Sequence, residues 1–152
     1  MKFWAFQPST NADEVDLLVY GYIAEAAVWS EDVGAKEFRE ALSAHKDVKR
    51  INVRINSGGG DAFAGIAIHS MLKAHQAEVV CFVEGLAGSA ASLIAMAGDR
   101  IVMATGSMIM IHNPSALAVG EASDLRQTAD VLDKLRDSLV SIYRARTGKT
   151  AE

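Results

Sequence analysis

The order of strand-like and helix-like patterns constrains the fold of this chain more than any other feature. Arg50 to Ile55 alternates apolar with polar residues, and Val79 to Val83 is apolar throughout, so both segments are predicted to be strands. Residues 61 to 75 between them repeat apolar residues at helical spacing. Shorter patterns add strands at 17–23, 101–103 and 108–111 and a buried helix at 89–97. Strands that alternate with helices indicate an α/β domain in which crossover helices join parallel strands.

The two ends of the chain extend this core. We expect a single domain over residues 15–152, preceded by an N-terminal arm over residues 1–14. Ser30, which is followed by two acidic residues, resembles a helix N-cap. Leu125, Leu132 and Leu139 mark one face of a long final helix, and Gly148 suits its C-terminal cap.

The composition argues against several classes of protein. The 152 residues carry a net charge of −4, whereas a nucleic-acid binder usually gathers Lys and Arg on one face. The single cysteine, Cys81, lies in an apolar strand and indicates a reducing compartment. No apolar run is long enough to cross a bilayer, and no two histidines show metal-ligand spacing. We therefore expect a cytoplasmic protein that binds neither nucleic acid nor membrane and needs no cofactor or metal.

A candidate nucleophile lies where the strand at 79–83 leads into the buried helix. The segment Gly85 to Ser92 consists of glycine, alanine and serine with one leucine, and it places Ser89 at the helix start. A hydroxyl at such a junction can point outward, while the first backbone N–H groups of the helix remain available to an anion. Small residues also permit close helix packing, which is the alternative role for Ser89 and for Ser92.

Asn56 to Asp61 is a glycine-rich loop that does not fit a nucleotide-binding motif. Phe63 stands where the dinucleotide motif counted from Gly58 needs glycine, and Gly65 is followed by Ile and Ala where a P-loop needs Lys and Ser or Thr. The loop can instead bring its backbone close to a ligand or an oxyanion, because glycine has no side chain to obstruct it. A strand-to-helix turn that needs positive φ is the alternative.

The candidate general base is His112, which ends an apolar strand 23 residues after Ser89. A helix, a strand and a turn fit into that interval, so both residues can reach the C-terminal edge of one sheet. No lysine occurs between Lys73 and Lys134, which makes histidine a better candidate base than lysine. A hydrogen-bonded structural histidine is the alternative.

Three segments together resemble the ClpP family of serine peptidases. Asn56 to Gly60 is similar to the family's Asn-Ser-Pro-Gly-Gly loop, with glycine in place of proline. Gly85 to Ser92 looks like the family's nucleophile turn, and Met110 to Pro114 is similar to its Met-Ile-His-Gln-Pro strand end. The resemblance extends over residues 15 to 150. It looks closest to the ClpP-like head maturation (prohead) proteases of tailed phages and prophages over residues 61–68, 92–99 and 112–114.

This resemblance implies a crotonase- or ClpP-like fold of stacked βαβ units with a long C-terminal helix that joins subunits. It implies that Ser89 is the nucleophile and His112 the general base, with the N–H groups of Gly60 and Ala90 as the oxyanion hole. The third member of the triad is an aspartate in the family and would lie beyond Glu152. Possible substitutes within the chain are Asp61, Asp99 and Asp124.

The function implied by this resemblance is an endopeptidase that acts without ATP on scaffold and capsid proteins during phage head assembly. Two other functions stay open. One is an inactive subunit that keeps the fold and the assembly, and the less favoured one is an acyl-CoA hydratase or isomerase of the crotonase fold. We also expect a homo-oligomer, a ring or a smaller multimer, because the apolar stretch 85–120 and the leucine face of the last helix exceed what a small domain buries alone.

Overall fold

The computed structural model describes residues 2–24 and 35–150 of the chain. It divides into two compact units, Met1–Ile111 and His112–Glu152. The first unit contains β1 (Trp4–Pro8), β2 (Glu14–Ile23), α1 (Ala35–Ser43), β3 (Arg50–Gly60), α2 (Ala62–Lys73), β4 (Glu78–Gly88), α3 (Ala90–Met96), β5 (Arg100–Met103) and β6 (Met108–Met110). The second unit contains α4 (Ala122–Thr147).

The first unit is built around a mixed six-stranded sheet. The strand order is β1-β2-β3-β4-β5, and β6 pairs with the second half of β4. β1 is antiparallel to β2, whereas every other pair is parallel. α2 joins β3 to β4 and α3 joins β4 to β5 as crossover helices. The predicted α/β class and the predicted parallel pairing are confirmed.

The two faces of this sheet have opposite chemistry. One face is apolar and fully buried, and it includes Leu17, Val53, Ile55, Cys81 and Val83. α3 is buried along its whole length and packs on β3 and β4, while α2 packs on α3. The other face carries a ladder of charged side chains, in which neighbouring strands are joined by ion pairs. Burial of the apolar face fixes which side of each strand meets the helices.

β3 and β4 are longer than the sequence patterns predict. β3 continues to Gly60 because the end of β2 pairs with Gly59 and Gly60. β4 continues to Gly88 because β6 pairs with residues 86–88. The partner strand that extends each one comes from a distant part of the chain, so periodicity within a short window does not reveal the extension.

The ends of the chain also form regular structure. Trp4–Pro8, within the expected N-terminal arm, forms the edge strand β1. The expected helix start at Ser30 lies outside the described residues. The long final helix is confirmed as α4, and Gly148 closes it in the left-handed conformation, with φ 68°. Across residues 2–24 and 35–150, no helix combines the length and the apolar composition needed to span a bilayer.

Candidate active site

Ser89 sits in an unusual backbone conformation between β4 and α3. Its φ is 49° and its ψ −122°, and within residues 2–24 and 35–150 it is the only non-glycine residue with positive φ. Its N–H donates to the carbonyl of Met110 at 2.8 Å, which ties the turn to β6. A residue held in so sparsely populated a region costs on the order of 1–3 kcal/mol, and such residues cluster at functional sites.

The hydroxyl of Ser89 does not do what an N-cap serine usually does. Serine at the first position of a helix normally accepts a hydrogen bond from an N–H of the first turn. Ser89 occupies the N-cap position of α3, yet its side chain makes no such capping bond. A purely structural capping role therefore does not explain a serine at this position.

Ser92, the other candidate in the same segment, has a clear structural role. It is fully buried, and its Oγ donates to the carbonyl of Ser89 at 2.6 Å. Its backbone N–H reaches the same carbonyl at 2.9 Å. Ser92 therefore supports the turn that presents Ser89.

The glycine loop lies directly against the Ser89 turn. A Cβ placed on Gly59 would lie 2.6 Å from the Cβ of Ser89 and 3.0 Å from the backbone N of Ala90. At Gly60, where φ is 150°, a Cβ would lie 1.9 Å from the carbonyl oxygen of Ile23. Glycine is required at both positions because neighbouring backbone fills the space that a side chain would occupy. The structure thus brings the two predicted oxyanion-hole segments together.

Hydrogen bonds hold the backbone on both sides of Gly60. The N–H of Gly59 donates to Oγ of Ser57 at 3.1 Å, and the N–H of Asp61 donates to the carbonyl of Ile23 at 2.7 Å. Asn56 adds a contact to β4, where its Oδ1 accepts from the N–H of Leu86 at 3.3 Å. Ser57 also donates to the carbonyl of Gly21 in β2. The sequence patterns did not single out Ser57 or Asn56, because Gly21 and Leu86 are 36 and 30 positions away from them in the chain.

His112 is the first residue of the second unit, where its ring is oriented locally. Its Nδ1 lies 2.7 Å from the carbonyl oxygen of Asn113. A carbonyl oxygen can only accept, so this bond requires the hydrogen on Nδ1 when the ring is neutral. The lone pair of the neutral ring is then on Nε2, which is the nitrogen that a general base would use.

The three aspartates considered as substitute triad acids each bind backbone N–H groups. Oδ1 of Asp61 accepts from Ala64 at 2.7 Å as the N-cap of α2. Oδ2 of Asp99 accepts from Val79 at 2.9 Å, and Oδ2 of Asp124 accepts from Glu121 at 3.0 Å in the capping box of α4. These contacts give all three carboxylates a structural role.

Two other histidines are in environments that favour the neutral form. Burial lowers the pKa of His69, and the charge of Lys73 lowers it further. Burial also lowers the pKa of His75, with a smaller contribution from His45, and Nδ1 of His75 accepts from the N–H of Ala77 at 3.1 Å. In the part of the chain that the structure describes, no cluster of His, Cys, Asp or Glu could hold a metal ion.

The fold and the sequence together identify the class of protein. The structure resembles a mutant of ClpP1 from Listeria monocytogenes with a TM-score of 0.71 and 22% identity, over 89% of this chain and 73% of that one. The chain therefore has a ClpP-like α/β fold with a mixed sheet and a C-terminal helix. The family model for the Clp protease matches residues 34–152, and the chain belongs to the Clp protease family.

Individual relatives agree with this family. A protein of Pleurastrum terricola is 29% identical in an alignment of 155 residues, gaps included, that covers 97% of this chain and 79% of the relative. One of Deinococcus radiodurans is 37% identical over 108 residues, 70% of this chain and 53% of the relative. One of Chlorella vulgaris is 33% identical over 111 residues, which cover 72% of this chain and 55% of the relative. All three are named ATP-dependent Clp protease proteolytic subunit, and the chain spans about half the length of the last two.

Proposed function

We propose that this protein is a serine endopeptidase of the ClpP type, with Ser89 as its nucleophile. The observation that carries the proposal is the backbone of Ser89, which has positive φ at a strand-to-helix turn while its hydroxyl makes no capping bond. Strain of this kind persists only where the surroundings impose it, and it is typical of functional sites. Membership of the Clp protease family supports the same assignment.

In this mechanism His112 takes the proton of Ser89 as Oγ attacks the carbonyl carbon of the scissile peptide. The protonated ring then gives that proton to the leaving amine, which leaves an acyl-enzyme that water hydrolyses by the same steps. The bond from Nδ1 of His112 to the Asn113 carbonyl supports this role, because it leaves Nε2 as the basic nitrogen. The bond from Ser89 N–H to Met110, two residues before His112 in the chain, also supports the pairing.

The oxyanion of the tetrahedral intermediate would be held by the N–H groups of Gly60 and Ala90. Gly59 and Asp61 on either side of Gly60 use their own N–H groups in other hydrogen bonds. The contact between Gly59 and the Ser89 turn supports a shared role of the two segments. Loss of one such donor typically lowers kcat about a hundredfold to a thousandfold.

The proposal also includes a group that orients the ring of His112. The backbone contacts of Asp61, Asp99 and Asp124 favour a structural role for each of them. We propose that the carbonyl of Asn113 orients the ring of His112.

The finer proposal concerns the substrate, which we infer to be the scaffold and capsid proteins of a tailed phage. It is supported by the similarity of residues 61–68, 92–99 and 112–114 to prohead proteases. The relatives named as ATP-dependent proteolytic subunits favour a different setting, in which proteolysis depends on ATP. Incubation of the purified protein with a phage scaffold protein, without ATP, distinguishes the two settings. Discrete fragments are expected only if the protein is a phage-type protease that acts without ATP.

A fluorophosphonate probe tests the peptidase assignment directly. We expect the probe to label the wild-type chain at Ser89 and to leave the Ser89→Ala variant unlabelled. Ser138→Ala is the matched control, because the Ser138 hydroxyl donates to the Lys134 carbonyl within α4, and this variant should be labelled like the wild type. Labelling of Ser89→Ala would contradict the proposal. Assembled but unreactive wild-type protein would favour an inactive subunit, and binding of a CoA thioester would favour the crotonase-type function.

A further inference from the structure

Ser57 connects two strands through a single buried hydroxyl. The residue is 3% exposed, and its Oγ donates to the carbonyl of Gly21 in β2. The same Oγ accepts from the N–H of Gly59 at 3.1 Å. The hydroxyl therefore uses its donor and an acceptor site at once, and it joins the irregular end of the β2–β3 pairing to the glycine loop.

The bond between Ser57 and Gly59 matters because three consecutive glycines, Gly58 to Gly60, follow Ser57 in the chain. A run of glycines has more accessible backbone conformations than any other sequence, so it does not hold an N–H in one direction by itself. The Ser57 bond fixes the peptide unit before Gly59, and the bond from Asp61 N–H to Ile23 fixes the peptide unit after Gly60. The Gly59–Gly60 peptide, which carries the N–H of Gly60, lies between these two fixed units.

We propose that Ser57 is a positioning residue that aims the Gly60 N–H at the oxyanion. This inference rests on the proposed function, since it assigns a purpose to the Gly60 N–H. Gly58 makes the role more important, because it has no side chain within the run that could restrict the backbone before Gly59. The side-chain hydrogen bond of Ser57 supplies that restriction.

The test is the kinetics of fluorophosphonate inactivation of the full chain. The phosphonyl oxygen of the probe occupies the oxyanion position as Ser89 attacks, so a misdirected Gly60 N–H slows the covalent step. We expect Ser57→Ala to lower the limiting rate constant by about tenfold or more, while the probe concentration for half-saturation stays unchanged. A general loss of folded protein lowers the amount of labelled enzyme but does not change this rate constant.

Two further variants keep the test decisive. Ser43→Ala removes a hydroxyl that likewise bonds one backbone carbonyl, that of Arg39 in α1, and it should keep the wild-type rate constant. Ser57→Cys keeps the shape of the side chain but has a weaker hydrogen-bonding group. We expect its rate constant to lie between those of the wild type and Ser57→Ala. If Ser57→Ala does not fold, Ser57→Cys tests the proposal in its place. Wild-type rate constants in both Ser57 variants would overturn the positioning role. An unlabelled wild type would instead overturn the proposed function itself.

Discussion

At the scale of single residues, the candidate site depends on backbone that only particular residues can adopt. Ser89 adopts a backbone conformation that is unfavourable for an L-residue. Gly59 and Gly60 let two segments of backbone meet without side chains between them. Ser57 and Ser92 then anchor this backbone with buried hydrogen bonds. Strain at one residue is thus balanced by contacts from its neighbours.

The two glycines at positions 58 and 60 offer a matched pair of substitutions. A Cβ at Gly60 would meet the Ile23 carbonyl at 1.9 Å and the residue has a φ of 150°, whereas a Cβ at Gly58 would meet nothing within 4 Å. We expect Gly60→Ala to destabilise the fold by about 1–3 kcal/mol or more and to abolish probe labelling. Gly58→Ala should change neither the stability of the fold nor the probe labelling by much. Urea unfolding and labelling of the two variants measure this, and equal behaviour would contradict the geometry of the loop.

At the scale of elements, the charged face of the sheet stabilises the pairing of β2, β3 and β4. Arg54 of β3 lies between Asp16 and Glu84 on the two neighbouring strands, at 2.9 Å and 2.5 Å. Its guanidinium carbon also lies 5.5 Å from the centre of the Phe82 ring. Asn52, which is buried, donates to both Glu14 and Asp16. Fully bonded networks of this kind favour one strand register over others.

This network predicts that the protein loses stability in acid. Partial burial acts to raise the pKa of Asp16, but hydrogen bonds from Asn52 and Arg54 and the charge of Arg54 bring the pKa below its ordinary 3.8. The ionised form therefore stabilises the fold above that ordinary value, and the contribution disappears as the pH falls through the lowered pKa of the folded state.

Urea unfolding midpoints measured from neutral pH down to about pH 3 test this linkage. We expect Asp16→Asn to be less stable than the wild type at neutral pH and to lose less stability as the pH falls. Asp130→Asn, which removes an exposed carboxylate of α4, is the control and should follow the wild-type curve. The idea fails if the Asp16→Asn curve runs parallel to that of the wild type.

At the scale of the whole molecule, each of the two units exposes apolar side chains. In the first unit these include Met103, Met108 and Met110 at the β5 and β6 end of the sheet. In the second, Leu117 and Val119 are almost fully exposed, at 98% and 95%. Exposed apolar groups of this extent are typical of surfaces that meet another chain.

Self-association is therefore the expected behaviour of the intact chain. In sedimentation velocity at micromolar concentration we expect a multimer, either a ring or a smaller assembly. A double variant with Leu117→Ser and Val119→Ser should shift the distribution to smaller species, because it removes apolar surface that association would bury. Ser115→Thr, in the same loop, should leave the distribution unchanged. A wild type that sediments only as a monomer would contradict this expectation.

Local patterns in the sequence determined a large part of this fold. Periodicity predicted the order of strands and helices and hence the α/β class, since the spacing of apolar residues reports directly which face of an element is buried. The residue types at three short segments were enough to predict the ClpP resemblance, and the family match confirms it. The assignment of Ser89, His112, Gly60 and Ala90 as site residues is a prediction, which the probe experiments on the Ser89 and Gly60 variants test.

The tertiary structure decided what depends on partners far apart in the chain. Pairing with β6 and with the end of β2 set the lengths of β4 and β3, and neither partner is visible within a short window of sequence. The bond from Ser57 to Gly21 joins residues 36 positions apart, and only the folded sheet brings them together. A sequence pattern records burial residue by residue, whereas hydrogen bonds and close backbone approach depend on where distant segments meet.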